Sequence, residues 1–278
     1  MGQTEPSTPS GVSYVDSNNN ARFVSMADGK QRVISQDYLL AISEGDISNH
    51  EVFRHVGYTP LLTTTESDFW SNAGVYAFPT VGQPIGVTSY DAADSSGGAG
   101  AHFVRLCYLD TAYVEKTETV EMAGLSTSYT VAKDVYRINN FLVTSAGVFK
   151  KASGGIVACS TNGTIRFNYI TPGFSIARNS AYTVPAGKTL HVTDANMGYG
   201  YAANQTNYAR IYLRATKDPL TQNATTLFYP FVEVVVANNT VTLSLKSPER
   251  FNERTDIKIS GLASAAGTAY CSLRGWTE

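Results

Sequence analysis

The stretch YARIYLRATKD, residues 208–218, alternates without a break: Ile211, Leu213 and Ala215 fall on one side, Arg210, Tyr212 and Arg214 on the other. A two-residue period separates an apolar row from a polar row only when the backbone is extended, so this stretch is a half-buried β-strand. The same kind of run recurs along the chain as GVTSYDA, HFVRLCYLD, AYVEKTETVEMAG, VYRINNFLVTSAG, IVACS, TIRFNYITPG, TLFYPFVEVVVAN, TVTLSLKS, TDIKISGLAS and AYCSLRGW. Turn residues punctuate these runs. Asp110-Thr111, Asn162-Gly163 and the Ala-Asn-Asn of 237–239 are hairpin signals, and Val241, Leu243 and Leu245 form an inward face after the last of them. Composition agrees, since 17 Tyr and 12 Phe suit a pleated surface while 23 Gly suit its turns. Short, closely spaced strands with almost no helical pattern predict a mainly β protein of antiparallel, sandwich-like domains, not a parallel α/β fold.

The exceptions lie near the start. Residues 1–30 are polar, with little periodicity, and read as an extended or disordered, flexible arm unable to bury enough surface to fold alone. KQRVISQDYLLAIS (30–43) carries Val33, Tyr38 and Ile42 with Leu39 and Leu40 beside them, the pattern of one short amphipathic helix. Residues 31–70 are thus expected to form a helix and an irregular linker, 71–175 a first β domain and 176–278 a second, sandwich-like one, with the boundary near 172–180. No internal repeat is evident.

Charge and cysteine usage narrow the function classes. Charged residues are only 16% and the formal charge is −2, which gives no electrostatic reason to expect binding to nucleic acid or to an anionic membrane. Cys107, Cys159 and Cys271 are odd in number, widely spaced and set in apolar strands, so buried free thiols are expected, as in a reducing cytosol. No basic-then-apolar leader opens the sequence, and its most apolar run, FYPFVEVVVA, is too short to span a bilayer and carries Pro230 and Glu233. Four Asn-X-Thr sequons, at Asn162, Asn204, Asn223 and Asn238, are the chance product of an Asn- and Thr-rich chain.

Several short motifs resemble chemistry and fail on spacing. Gly187-Lys188-Thr189 closes a P-loop, yet Tyr182 stands where the first glycine belongs, Pro185 removes an N–H, and a strand-like Leu190-His191-Val192-Thr193 follows. The triplet reads as a turn between strands, with Lys188 in solvent. His50-Glu51 and His55 resemble a zinc-protease helix, but an i, i+5 spacing turns the second imidazole about 140° from the first. His102 and His191 stand apart from both. Asp91 and Asp94 flank the Gly-Ser loop ADSSGGAGA, a flexible tip, while Glu115, Glu118 and Glu121 line a solvated strand face rather than a glycosidase pair. No Gly-X-Ser-X-Gly elbow occurs, and Asp194 and Asn196 lack the other ligands of an EF-hand calcium loop. Tyr199, Tyr201 and Tyr208 in NMGYGYAANQTNY offer a sugar-stacking or protein-contact surface, or simply core tyrosines. These residues therefore yield no catalytic, cofactor-binding or metal-binding assignment.

Read in order, a further set of short blocks is similar to a group of tailed-bacteriophage virion structural proteins. EGDISNHEVFRHVGY is followed by an acidic-X-Trp block, Glu66 to Trp70, and a Tyr-X-Phe-Pro block, Tyr76 to Pro79. Then come GGAGAHFVRLCYLDTAYVEKTETVEMAG, YTVPAGKTLHVT, ERTDIKI and the terminal Gly-Trp. The resemblance spans residues 44 to 278 and rests on turn motifs.

What the resemblance implies is a non-enzymatic, β-rich component of a virion assembled in the host cytoplasm, most readily a capsid decoration or cement protein. Its partners would be the major capsid protein or neck and tail proteins and further copies of itself, with a trimer compatible with such a role. Residues 1–30 and the 91–100 loop are the expected contact segments, ordered on assembly. The alternatives are a neck, tail or baseplate component, or a carbohydrate- or receptor-binding virion module using the 197–208 tyrosines. No cofactor is expected.

Overall fold

A computed structural model describes residues 12–15, 20–27, 30–201, 207–221, 223–237 and 239–278, with residues 12–37 and 246 taken by backbone alone. In chain order the first elements are β1 (Val12–Val15), β2 (Asn20–Ala27), β3 (Lys30–Asp37), helix α1 (Tyr38–Glu44), β4 (Glu51–Leu62) and β5 (Ser67–Asp68). The middle of the chain supplies β6 (Gly86–Ser89), β7 (Ala101–Leu109), β8 (Glu115–Glu121), β9 (Ser128–Tyr129), β10 (Arg137–Ala146), β11 (Ile156–Cys159) and β12 (Arg166–Ile170). The last third adds β13 (Tyr182–Thr183), β14 (Leu190–Gly200), β15 (Ala209–Lys217), β16 (Ala224–Val236), β17 (Thr240–Phe251), β18 (Asp256–Ala263) and β19 (Gly267–Thr277). The protein is mainly β, its named sheets are antiparallel throughout, and α1 is the one α-helix among the described residues.

Two hydrophobic cores organise these strands. The larger lies between a sheet of order β17-β14-β19-β4 and a sheet of order β13-β18-β15-β16. With β5 and β13 counted as one position beside β18, the strands of these two sheets switch sheet at every connection after β4 except the β15–β16 hairpin, which is the strand order of a jelly roll. Leu190, Val192, Ala195 and Met197 of β14 meet Ile211, Leu213 and Ala215 of β15 across that core, all of them essentially inaccessible to water. Each fully buried aliphatic side chain of this kind contributes about 1.5–3 kcal/mol relative to exposure. The smaller core lies between β10-β7-β8 and β12-β11-β6-β9 and is built on Leu106, Phe141, Ile156 and Phe167. The chain leaves the jelly roll after β5, builds this second lobe, and returns through β13. β5 and β13 both pair with β18, at Ser260–Gly261 and at Asp256–Ile257 respectively.

The N-terminal third departs from its sequence reading. Val12–Asp37 forms a three-stranded antiparallel meander, β1-β2-β3, where an extended or disordered arm was expected; residues 1–11, 16–19 and 28–29 lie outside the described residues. The missed signal is Asp28-Gly29, a two-residue hairpin dipeptide between Ala27 and Lys30, which pair. The helix starts only at Tyr38, because β-branched Val33 and Ile34 are drawn into β3 and Asp37, a residue type favoured at helix N-caps, precedes it. Residues 51–68, read as linker, are β4 and β5 of the jelly roll. β4 holds Phe53, His55, Gly57 and Thr59 inward while pairing with β19 along its whole length. The Ala-Asn-Asn at 237–239 is not a hairpin turn. β16 and β17 belong to opposite sheets, so this connection arches over the core; Asn238 itself lies outside the described residues.

Candidate functional site

The motif blocks distributed along the sequence converge on the seam between the two lobes. Arg137 of β10 reaches Asp256 of β18 with two parallel bonds, Nε to Oδ1 at 3.0 Å and Nη2 to Oδ2 at 2.9 Å. Its Nη1 donates to the Pro79 carbonyl, and its guanidinium lies over Tyr136, 4.1 Å from the ring centroid. Asn139 donates to the Thr183 carbonyl and accepts from the Thr183 N–H, while the Thr183 hydroxyl donates to Asp256. Nearby, Lys258 Nζ meets Asp68 Oδ2 at 2.9 Å, and Asp68 also accepts from the Tyr76 N–H. Burial pushes the Asp68 carboxyl above its ordinary range, and the Lys258 ammonium only partly offsets this. Trp70, Tyr76 and Phe78 stack edge to face in sequence over the same seam, at 5.4 and 4.8 Å.

The P-loop-like triplet is a turn, with Gly187 at φ 74° and the Lys188 N–H bonded to the Pro185 carbonyl. Lys188 is not a free solvent group. Its ammonium lies 2.8 Å from both Glu51 and Glu115, tying jelly roll to second lobe, and this pairing holds its pKa above the usual lysine range despite the opposing cost of burial. Between these ties runs a groove of 500 Å³ with His55, Cys107 and Tyr182 among its lining residues. Burial lowers the His55 pKa to about 4, so the imidazole is neutral, and its Nε2 is 3.2 Å from the Ala181 carbonyl. Burial also raises the Cys107 thiol. This groove presents neither an activated thiolate nor a base poised near neutrality.

His50 and His55 do not form a pair, since His55 is buried on the inner face of β4 whereas His50 precedes that strand. The structure instead brings His50 to His191. Each Nε2 lies 3.0 Å from one oxygen of Glu278, and the His191 ring stacks on Trp276 at 4.7 Å. Sequence reasoning missed this cluster because its members are separated along the chain and meet only through the pairing of β19 with β14 and β4. The carboxylate is held below the usual range, burial opposing and the two imidazoles outweighing it.

The remaining candidates take structural roles. Asp94 is fully buried and accepts from the Ser89 hydroxyl and from the N–H groups of Ala101, Ser153 and Gly154. The 91–100 loop, expected as a flexible tip, is therefore pinned at its centre, and Asp91 adds bonds to Ala93 N–H and the Ser153 hydroxyl. Glu118 accepts from the N–H groups of Val131 and Ala132. Tyr199 is a core residue, 2% exposed, with its hydroxyl on the Ala265 carbonyl; Tyr201 packs against it and Tyr208 is exposed, while residues 202–206 lie outside the described residues. Asp194 and Asn196 bond to Ser244 and to Thr242 and Ser272 across the sheet. All three cysteines are free, with Cys159 and Cys271 buried and Cys107 half-buried, and burial pushes Cys271 up to about 12.

The β16 edge presents an open surface. β16 ends its sheet, pairs only with β15 among the described residues, and exposes Leu227 (61%) and Val235 (57%) beside half-buried Phe228, Tyr229, Phe231 and Val232. A long apolar strand at a sheet edge is a contact surface unless something covers it. Pro230, which has no N–H, and the charged Glu233 oppose strand-on-strand pairing here, leaving side-chain contact as the mode this edge favours.

No protein-family model matches the chain, and no curated protein matches it in sequence. Among solved structures it is similar to the infectious bursal disease virus VP2 subviral particle, at 10% identity over 82% of this chain and 75% of that one, with a TM-score of 0.14. It is also similar to the structure of the infectious bursal disease virus Gx strain, at 7% identity over 82% and 71%, with a TM-score of 0.18. A likeness at this level bears on neither fold nor function.

Proposed function

We propose that this chain is a non-enzymatic structural component of a virus particle, of the tailed-bacteriophage kind its motif series resembles. In this reading it acts as an outer decoration or cement protein that holds neighbouring subunits together. The observation that carries the reading is the β16 edge, on which Leu227 and Val235 are more than half exposed. The jelly-roll strand order fits as well, because that architecture serves capsid proteins, though lectin domains and cupins share it and the fold alone does not assign a role. A formal charge of −2 suits an outward position better than one against packaged DNA. Asp91, Asp94, Glu118 and Lys188, all weighed for chemistry in the sequence, bond within the fold, which fits a mechanical role. A neck, tail or baseplate position would use the same edge with a different partner. A sugar-stacking module finds less support, because Tyr199 is inside the core.

The test is incorporation. Particles purified from a producing lysate should contain the wild-type chain in fixed copy number by quantitative mass spectrometry, and Leu227→Lys with Val235→Lys should leave it in the soluble pool with an unchanged melting curve. A wild-type chain absent from particles would overturn the virion reading, and undiminished incorporation of the double variant would overturn the edge.

A further inference from the structure

The outer face of the β17-β14-β19-β4 sheet sets two arginines side by side. Arg54 of β4 and Arg274 of β19 are direct partners in the antiparallel register, both exposed. Like charges placed opposite each other across a strand pair are destabilising, and neither guanidinium can shed its proton. No carboxylate of the described residues lies within ion-pair distance of either. Asp194 is the cross-strand neighbour of Arg274 on its other side, but its oxygens accept from the hydroxyls of Thr193 and Ser244.

These two arginines line a groove of 890 Å³ whose other wall is α1, through Leu39, Leu40 and Ser43. The helix is fastened in place by Tyr38, whose ring packs edge-on against Trp276 at 4.9 Å and whose hydroxyl lies 3.1 Å from His50 Nε2. The groove is therefore built between fixed walls. It has a cationic floor and an apolar flank, with Leu40 48% and Val52 51% exposed.

We propose that this groove is a binding site for an acidic, leucine-bearing peptide segment of a partner protein. Arg54 and Arg274 would fork onto its carboxylates, and Leu39, Leu40 and Val52 would cover its apolar side chains. Guanidinium forks match carboxylate and phosphate alike, so the floor alone does not choose between them. The apolar flank does, because a free phosphate gains nothing from covering Leu40 and Val52. The site stands whether or not the chain is a particle component.

The test uses the full chain, labelled with ¹⁵N and followed on its arginine Nε–Hε signals. It is titrated separately with the capped tetrapeptide LEEL, its uncharged counterpart LQQL, and inorganic phosphate. LEEL should shift two arginine signals saturably, with binding weakened about tenfold or more in Arg54→Gln and in Arg274→Gln, since each charge-assisted fork is lost. LQQL should bind at least about tenfold more weakly than LEEL for the same reason. Arg210→Gln, on the opposite sheet, should bind as the wild type does, and neither groove variant should melt below it. The proposal is overturned if LEEL gives no saturable shift, if either groove variant binds it undiminished, if LQQL binds equally, or if phosphate binds more tightly than the peptide.

Discussion

Arg137 and Asp256, 119 residues apart in the chain, close on each other as a buried two-bond fork that joins the second lobe to the jelly roll. The side chains are only 9% and 12% exposed; the guanidinium also donates to the Pro79 and Tyr136 carbonyls, and the carboxylate also accepts from the Thr183 hydroxyl. Such a pair contributes little against an apolar substitute but a great deal against the loss of one partner. Asp256→Asn strands a buried guanidinium and should cost about 3 kcal/mol or more in urea unfolding. Replacing both residues by Met should cost less than the two single changes summed, and a strictly additive double variant would show that the fork is not the source.

Asp94 organises the 91–100 loop by accepting four hydrogen bonds at a fully buried position. Asp94→Asn turns an amide NH₂ toward N–H donors, so a loss of about 2 kcal/mol is expected from unsatisfied groups. Limited digestion with elastase should then nick residues 91–100 in the variant before the wild type. Equal digestion rates would mean that the loop is held by something else.

His55 sets a pH dependence whose sign follows from its depressed pKa. The unfolded chain takes up a proton near pH 6.5, whereas the folded imidazole resists until about pH 4, so the unfolded state binds more protons between those values. Stability is complete above about pH 6.5 and falls as the pH drops through that window, by an amount on the order of 3 kcal/mol. His55→Gln keeps a donor for the Ala181 carbonyl without titrating, and its unfolding free energy should decline less over pH 6.5–4 than that of the wild type. Parallel declines would remove His55 from the account.

On β16, the side chains of Leu227 and Val235 are more than half exposed. Their replacement by Lys should leave the unfolding free energy within about 0.5 kcal/mol of the wild type, as for surface positions generally. A larger loss would mean that the edge is packed against the protein's own core and is not available to a partner.

Alternation pointed to most strands from β6 onward, though not to β9 or the end of β14, because a two-residue period in 209–217 or 240–245 has no other backbone solution. The Asn162-Gly163 turn was equally legible, as Gly163 takes the positive φ that only such residues enter cheaply. The sequence also fixed that Gly187-Lys188-Thr189 is a turn and that His50 and His55 share no helical face. It could not show which strands pair. Residues 51–62 were opaque as a strand because β4 becomes one by pairing with β19 more than two hundred residues later, and no local pattern encodes a partner that distant. The same holds for Arg137 with Asp256, Lys188 with Glu51 and Glu115, and Arg54 beside Arg274. Local chemistry chose the period and the turns, since those depend on neighbouring residues. Tertiary structure alone decided which opposite charges met and which like charges were set side by side, since that depends on how the sheets close.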